Sequence, residues 1–143
     1  MNQILERAAE TYVAFFESLS DESVADLRQL ASPQIRYRDP LTDRRGIDAV
    51  TDYMHRWFRD MDDLRFDVVL HAVRGNVALS RWDMRFRIRR MPKRPWTIEG
   101  MSTITLAPDG KVAEHVDFWD ATPLLQAVPV LGHVVTLTRR VVS

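Results

Sequence analysis

After Asp62-Asp63 the hydrophobic period of this chain changes from helical to two, and it stays at two for most of the remaining length. Four alternating segments follow, over residues 64–74, 77–89, 96–106 and 111–119, separated by Gly75-Asn76, residues 91–95 and residues 108–110. Connections that short leave no room for a crossover helix, so consecutive segments pair as antiparallel strands. The first three each have one strongly apolar face: Phe66, Val68, Leu70 and Ala72; then Ala78, Trp82, Met84, Phe86 and Ile88; then Trp96, Ile98, Ile104 and Leu106. A sheet with such a face must be covered, and the segments able to cover it come earlier in the chain.

Ile4, Leu5, Ala8, Tyr12, Phe15, Phe16 and Leu19 recur at helical spacing and predict an amphipathic helix over residues 3–19. Ser20 or Asp21 caps a second helix with Val24, Leu27 and Leu30 inward and Ser32-Pro33 as its stop. Ile35, Tyr37 and Asp39 alternate with Arg36 and Arg38 in a short strand ended by Pro40, and residues 41–45 read as a polar loop. Gly46 begins a third helix with the apolar stripe Ile47, Val50, Tyr53, Met54, Trp57, Phe58 and Met61, closed by Asp62-Asp63. Three helices before a meander give an α+β class, the helices packing into the concave side of a twisted sheet. At 143 residues one domain is expected.

Composition narrows the function by exclusion. Twenty basic and 20 acidic residues give zero formal net charge, so no global field draws the chain to nucleic acid or an anionic membrane. The absence of cysteine removes disulfides, thiolate metal sites and a cysteine nucleophile. Glu6, Arg7 and Glu10 interrupt the stretch a signal peptide would need, and the apolar run near the C-terminus is broken by Pro129, Gly132 and His133. A cytoplasmic protein is the expectation. His55, His71 and His133 have no metal-ligand spacing, and the five glycines form no phosphate-cradling loop. Neither a metal nor a cofactor is expected.

The chemistry-bearing stretch is Gly110-Lys111-Val112-Ala113-Glu114-His115-Val116-Asp117-Phe118-Trp119. Its alternation puts His115, Asp117 and Trp119 on one face, a titratable pair beside an indole. That face either lines a small-molecule pocket or is solvated, with Val112, Val116 and Phe118 as the core side.

This order of elements, with Tyr37-Arg38-Asp39-Pro40, the following Gly46 and the segment from Gly110 to Asp117, resembles the nuclear transport factor 2-like superfamily. It looks closest to the SnoaL-like polyketide cyclase and ketosteroid isomerase branches. The resemblance covers about residues 3–125 and implies a cone-shaped barrel. In it, three N-terminal helices pack in the concave face of a curved mixed, mostly antiparallel sheet, with residues 121–143 as a C-terminal extension. It sets His115, Asp117 and Trp119 on the concave side. Asp39 falls where ketosteroid isomerases keep their proton-shuttling aspartate, and Asp117 where the cyclases keep theirs; His115 is the only histidine placed to orient a base. Phe15 and Ser102 stand where the isomerases hold a tyrosine and a protonated aspartate. Phe15 donates no hydrogen bond, Ser102 only a neutral one, and Tyr12 lies a turn away, so ketosteroid isomerase activity itself is not expected.

The resemblance thus implies a cofactor-free isomerase, cyclase or lyase acting on a small apolar carbonyl compound. Its catalytic candidates are Asp39, Asp117 and His115, in a pocket lined by Tyr12, Phe15, Tyr37, Trp57, Trp82, Ser102 and Trp119. The alternative is a non-catalytic container for a hydrophobic ligand or a partner protein.

Arg81, Arg85, Arg87 and Arg89 alternate along one strand and read as a solvated outer face paired with Asp67 and Glu99, rather than as a nucleic-acid surface. Val69, Met101, Val116 and Phe118 share that outer side, a mixed face suited to a homodimer. Leu124, Leu125, Val128, Leu131, Val134, Val135 and Leu137 are expected to pack on the protein as a lid or dimer contact rather than on a membrane.

Overall fold

The protein is described by a computed structural model, which covers residues 3–127 and 140–141. Helix α1 (Gln3–Glu17) buries Leu5, Ala9, Tyr12, Val13 and Phe15 on one stripe. A single 3-10 turn (Ser23–Asp26) then runs into the one-turn helix α2 (Leu27–Leu30). Ser20 and Ser23 open this turn reciprocally, each hydroxyl accepting the other's backbone N–H at 2.8 and 3.1 Å. The expected second helix is therefore short. It ends before Pro33, whose surroundings are extended and already belong to strand β1 (Ala31–Asp39).

Strand β2 (Thr42–Arg45) replaces the polar loop expected over residues 41–45: with only Pro40 and Leu41 between them, β1 and β2 form a hairpin. Its partner is held by charge, the Arg36 guanidinium gripping both oxygens of Asp43 at 3.0 and 2.8 Å. Gly46, at φ 90°, takes a conformation side chains resist and turns the chain into helix α3 (Ile47–Asp60). That helix buries Val50, Thr51, Met54 and Trp57, and stops one residue before Met61, the first residue of strand β3.

Strands β3 (Met61–Arg74), β4 (Val77–Ile88), β5 (Met91–Leu106) and β6 (Val112–Trp119) form the meander, and helix α4 (Thr122–Gln126) follows. Residues 91–95, expected as a connection, belong to β5, where a register shift opposite Arg87 and Ile88 absorbs the extra length. The six strands lie in the order β2-β1-β6-β5-β4-β3, antiparallel except for the parallel pair of β1 and β6. The sheet curves without closing, and α1 and α3 pack into its concave side. The class is α+β with a mixed, mostly antiparallel sheet, as the sequence pattern and the resemblance imply.

The inward faces of β4 and β5 are those the alternation predicts, with Ala78, Trp82, Phe86, Trp96, Ile98, Ile104 and Leu106 all buried. Strand β3 departs from its pattern. Its register shifts between Val68 and Leu70, and one extra residue reverses the parity beyond it. Leu70 is 55% exposed and Ala72 is exposed too, because both now sit on the outer side opposite Arg81 and Leu79. The outer arginines pair as expected, Arg85 with Asp67 at 3.1 Å and Arg81 with Glu99 at 3.6 Å. Beyond Ala127 the apolar tail, Arg140 and Val141 apart, lies outside the described residues, and so does the expectation that it forms a lid or dimer contact. No described helix is long and apolar enough to cross a membrane.

Gly100 pairs with Trp82 on one side and Trp119 on the other. A Cβ there would overlap Cη2, Cζ2 and Cζ3 of Trp82. Trp82 is buried and tethered through its indole N–H to Ser102 Oγ at 2.8 Å, so the ring has little freedom to move aside. Gly100→Ala is expected to destabilise the protein by about 1–3 kcal/mol through overpacking. Urea unfolding followed by circular dichroism measures the loss, and a shifted tryptophan emission maximum reports the displaced ring.

Candidate functional site

The concave face carries a chain of hydrogen bonds that begins on α1 and crosses the sheet. Tyr12, buried in the middle of α1, places its hydroxyl 2.7 Å from His115 Nδ1. On the other edge of the ring, Nε2 lies 2.6 Å from Asp117 Oδ1. Asp117 Oδ1 also accepts the Ser102 hydroxyl at 2.5 Å, and Oδ2 accepts the Tyr37 hydroxyl at 2.6 Å. Ser102 in turn accepts the Trp82 indole N–H. The strand register dictates these meetings, because Asp117 is opposite Ser102 on β5 and His115 is opposite Tyr37 on β1. The side chains of His115 and Asp117 are 3% and 9% exposed.

Protonation follows from donor counting. An ionised carboxylate only accepts, so His115 Nε2 carries the hydrogen; in the neutral ring Nδ1 then receives the Tyr12 O–H. Burial pushes the Asp117 carboxyl up. It is outweighed by the charge His115 carries when protonated and by the hydrogen bonds from His115, Ser102 and Tyr37, which hold the group below the usual aspartate range. The phenols of Tyr12 and Tyr37 are pushed well above their ordinary value, first by burial and then by the Asp117 charge, and stay protonated donors.

Asp39 has a different environment. Its Oδ1 accepts the Leu41 N–H at 2.7 Å, the turn-capping bond of an Asp-Pro corner. Its Oδ2 accepts the Tyr53 hydroxyl at 2.8 Å and lies 3.5 Å from the Tyr37 oxygen. Burial raises the Asp39 carboxyl, the Leu41 and Tyr53 bonds oppose it, and the Asp117 charge adds to the rise; the net direction is upward. Two aspartates joined through Tyr37 are thus displaced in opposite directions.

Both reach one apolar cavity of about 250 Å³. Tyr37, Trp57, Trp82 and Trp119, all named from the sequence as pocket residues, line it too. Tyr12, Phe15, Ser102 and His115 do not: the first two are core side chains of α1, and Ser102 and His115 border a much smaller void of about 20 Å³ behind Asp117. No residue of α1 lines the cavity, which is bounded by α3, α4 and the sheet. Met84 and Phe86, read from the sequence only as part of an apolar strand face, are lining residues. Tyr53 was visible in the sequence only as part of an apolar stripe. Its signal is a phenol on a core-facing helix stripe, which requires a polar partner. On the far side of Asp39, Asp117 and Trp119 runs an open groove bordered by Arg38 and Phe118. Among the described residues no three His, Asp or Glu side chains converge as a metal site.

A SnoaL-like domain model matches residues 12–115, well over half of the chain, ending two residues before Asp117. No functionally curated protein matches in sequence. Among solved structures, a candidate SnoaL-like polyketide cyclase from a Jannaschia species superimposes with a TM-score of 0.77 at 19% identity, over 90% of this chain and 95% of that one. A candidate isomerase of the SnoaL-like family from Agrobacterium tumefaciens gives 0.65 at 20% identity, over 83% and 99%. An epoxide hydrolase from M. tuberculosis gives 0.65 at 13% identity, over 82% and 84%. At these identities the likeness is one of fold.

Replacing Asp117 by Asn puts an amide N–H₂ among three groups that already donate. The loss is expected to be large, roughly 3–5 kcal/mol, because a buried partner is left uncompensated. Its pH dependence has a definite sign. The folded-state value of Asp117 is lowered, so its stabilisation is complete above the unfolded aspartate value and is lost as pH falls through the folded one. Urea unfolding at neutral and acidic pH should therefore show wild type and Asp117→Asn converging toward low pH; a constant gap would contradict the assignment.

Proposed function

As the chain belongs to the SnoaL-like family, we propose that it binds a small apolar carbonyl compound in the cavity between α3 and the sheet. It acts there as a cofactor-free isomerase, cyclase or lyase with Asp39 as the base. The observation that carries this reading is the unequal environment of the two aspartates. Asp117 has both oxygens occupied by strong donors and a lowered pKa, which makes it a poor proton acceptor. Asp39 is half-buried beside the cavity with a raised pKa, which suits proton abstraction from carbon. Asp117 and His115 then serve as positioning residues. They fix Tyr37, which stands between the carboxylates, and Trp119 shapes the wall.

A second reading, a non-catalytic container, draws on one observation: the hydroxyls that face the site are already given away. Tyr37 donates to Asp117 and Tyr53 to Asp39, so neither is free to stabilise a developing oxyanion. We also propose that the outer sheet face pairs two copies of the chain. Met101 and Phe118 are register partners there, 45% and 58% exposed, beside the arginines and acids of β3–β5.

With a substrate identified by screening carbonyl compounds for proton exchange at the α-carbon, Asp39→Asn should lower kcat/KM by at least ~10²-fold. Because the base must be ionised, the acid limb of the wild-type profile should lie above 3.8, the ordinary aspartate value. Undiminished exchange in Asp39→Asn would remove Asp39 as the base, whereas binding without any exchange by the wild type would leave the container reading. For the assembly, sedimentation equilibrium should report a dimer that Phe118→Asp converts to monomer.

A further inference from the structure

The charge lining the cavity is one-sided. Its ionisable side chains, the tyrosines aside, are Asp39, Asp60 and Asp117; no Lys, Arg or His borders it among the described residues. Around them the rings form a continuous wall. Tyr37 lies 5.8 Å from Tyr53 and 6.1 Å from Trp57, Tyr53 and Trp57 are 5.5 Å apart, and Phe66 links Trp57 to Trp82 at 6.0 and 5.8 Å. Cations stand outside this wall, Arg59 reaching Asp60 at 3.8 Å without lining the cavity. Arg44 stacks on the Tyr53 ring at 4.8 Å without lining the cavity, and Arg38 borders the outer groove.

Three ligand charges can be weighed against that lining. An anion meets the Asp39 and Asp117 carboxylates with no Lys, Arg or His on the cavity wall to receive it. A neutral molecule gains burial, but its oxygen meets the hydroxyls of Tyr37 and Tyr53, which already donate elsewhere. A cation on an apolar body gains burial, the negative faces of the rings and a carboxylate acceptor together. The geometry points to an apolar amine or quaternary ammonium compound as the ligand class, with its nitrogen between Asp39 and the Tyr37–Tyr53–Trp57 rings and its body along Phe66 and Trp82. A cavity of about 150 Å³ holds benzene, so about 250 Å³ has room for a substituted ring.

This inference rests on the reading of the cavity as the ligand site, and it supplies what that reading lacks. When Asp39 takes a proton from the carbon beside a carbonyl, the electron pair moves onto the carbonyl oxygen. The positive charge that balances this oxygen is then the ligand's own nitrogen, in place of a donor from the protein. The substrate class becomes a carbonyl compound that carries a basic or quaternary nitrogen.

The test uses three probes on the full chain, benzyltrimethylammonium, its neutral isostere neopentylbenzene, and phenylacetate, followed by tryptophan quenching and calorimetry. Benzyltrimethylammonium is expected to bind about tenfold more tightly than the isostere, and phenylacetate more weakly than both. In Asp39→Asn the preference for the cation should fall to what the rings alone supply while the neutral probe binds as before, which also shows that the variant is folded. Equal or tighter binding of neopentylbenzene by the wild type would overturn the cation proposal and leave the cavity as a ligand site. Binding by none of the three would overturn both. A preference undiminished in Asp39→Asn would remove the nitrogen from its assigned seat and overturn the proposal as stated.

Discussion

A buried carboxylate organises this molecule. Asp117 sits under α1 on a central strand, and withdrawing such a group from water costs several kcal/mol unless its oxygens are satisfied. Three donors from three strands meet it: His115 on β6, Ser102 on β5 and Tyr37 on β1. Two of these donors are themselves held from behind, His115 by Tyr12 of α1 and Ser102 by Trp82 of β4. The pairing of β1 with β6, the docking of α1 and the seat of Trp82 therefore share one electrostatic centre. Apolar contacts around it tolerate small shifts, whereas donors at 2.5–2.8 Å from their acceptors do not.

This arrangement also explains why two aspartates beside one cavity behave differently. Asp117 is saturated with donors and becomes a fixed anion. Asp39 spends one oxygen on its own turn, bonding Leu41, and the other on Tyr53 at the cavity edge. The first anion then opposes ionisation of the second across Tyr37. The sign of that coupling matters. An acid whose folded-state value is raised loses stability as pH climbs through the interval between its unfolded and folded values, so ionised Asp39 is a local cost carried by the rest of the fold. Residues in that position are candidates for chemistry or for ligand charge rather than for packing.

Much of the fold was legible because periodicity records burial directly. The change of period after Asp62 located the meander, and the inner faces of β4 and β5 were readable residue by residue. The errors arose where a local device cancels the pattern: the register shift after Val68 turns Leu70 and Ala72 outward, and a bonded Arg36–Asp43 pair makes a strand of a polar stretch. At the site, alternation placed His115, Asp117 and Trp119 on one face but left its direction open; only the resemblance turned that face inward. Neither could show that Tyr12 ends on His115 or that Tyr53 ends on Asp39, since those contacts join residues on separate elements. Nor could alternation separate Ser102, which serves the carboxylate from behind, from Trp82, which reaches both the carboxylate network and the cavity.

The cavity persists for a reason rooted in the same hydrogen bonds. An apolar void beside flexible side chains would shrink by rotamer changes, because each unfilled contact forfeits dispersion energy. Here three rings of the wall have their polar ends already committed: Trp82 to Ser102, Tyr37 to Asp117, Tyr53 to Asp39. A ring that swung inward to fill the space would leave its own donor, or the acceptor behind it, unpaired in the interior, at about 1–3 kcal/mol for each group. Gly100 gives the Trp82 ring a close seat against the sheet that a Cβ would fill. The network that sets the charges of the two aspartates is therefore also the scaffold that keeps the cavity open. Any change that frees one of these donors for a ligand loosens the wall that would hold that ligand.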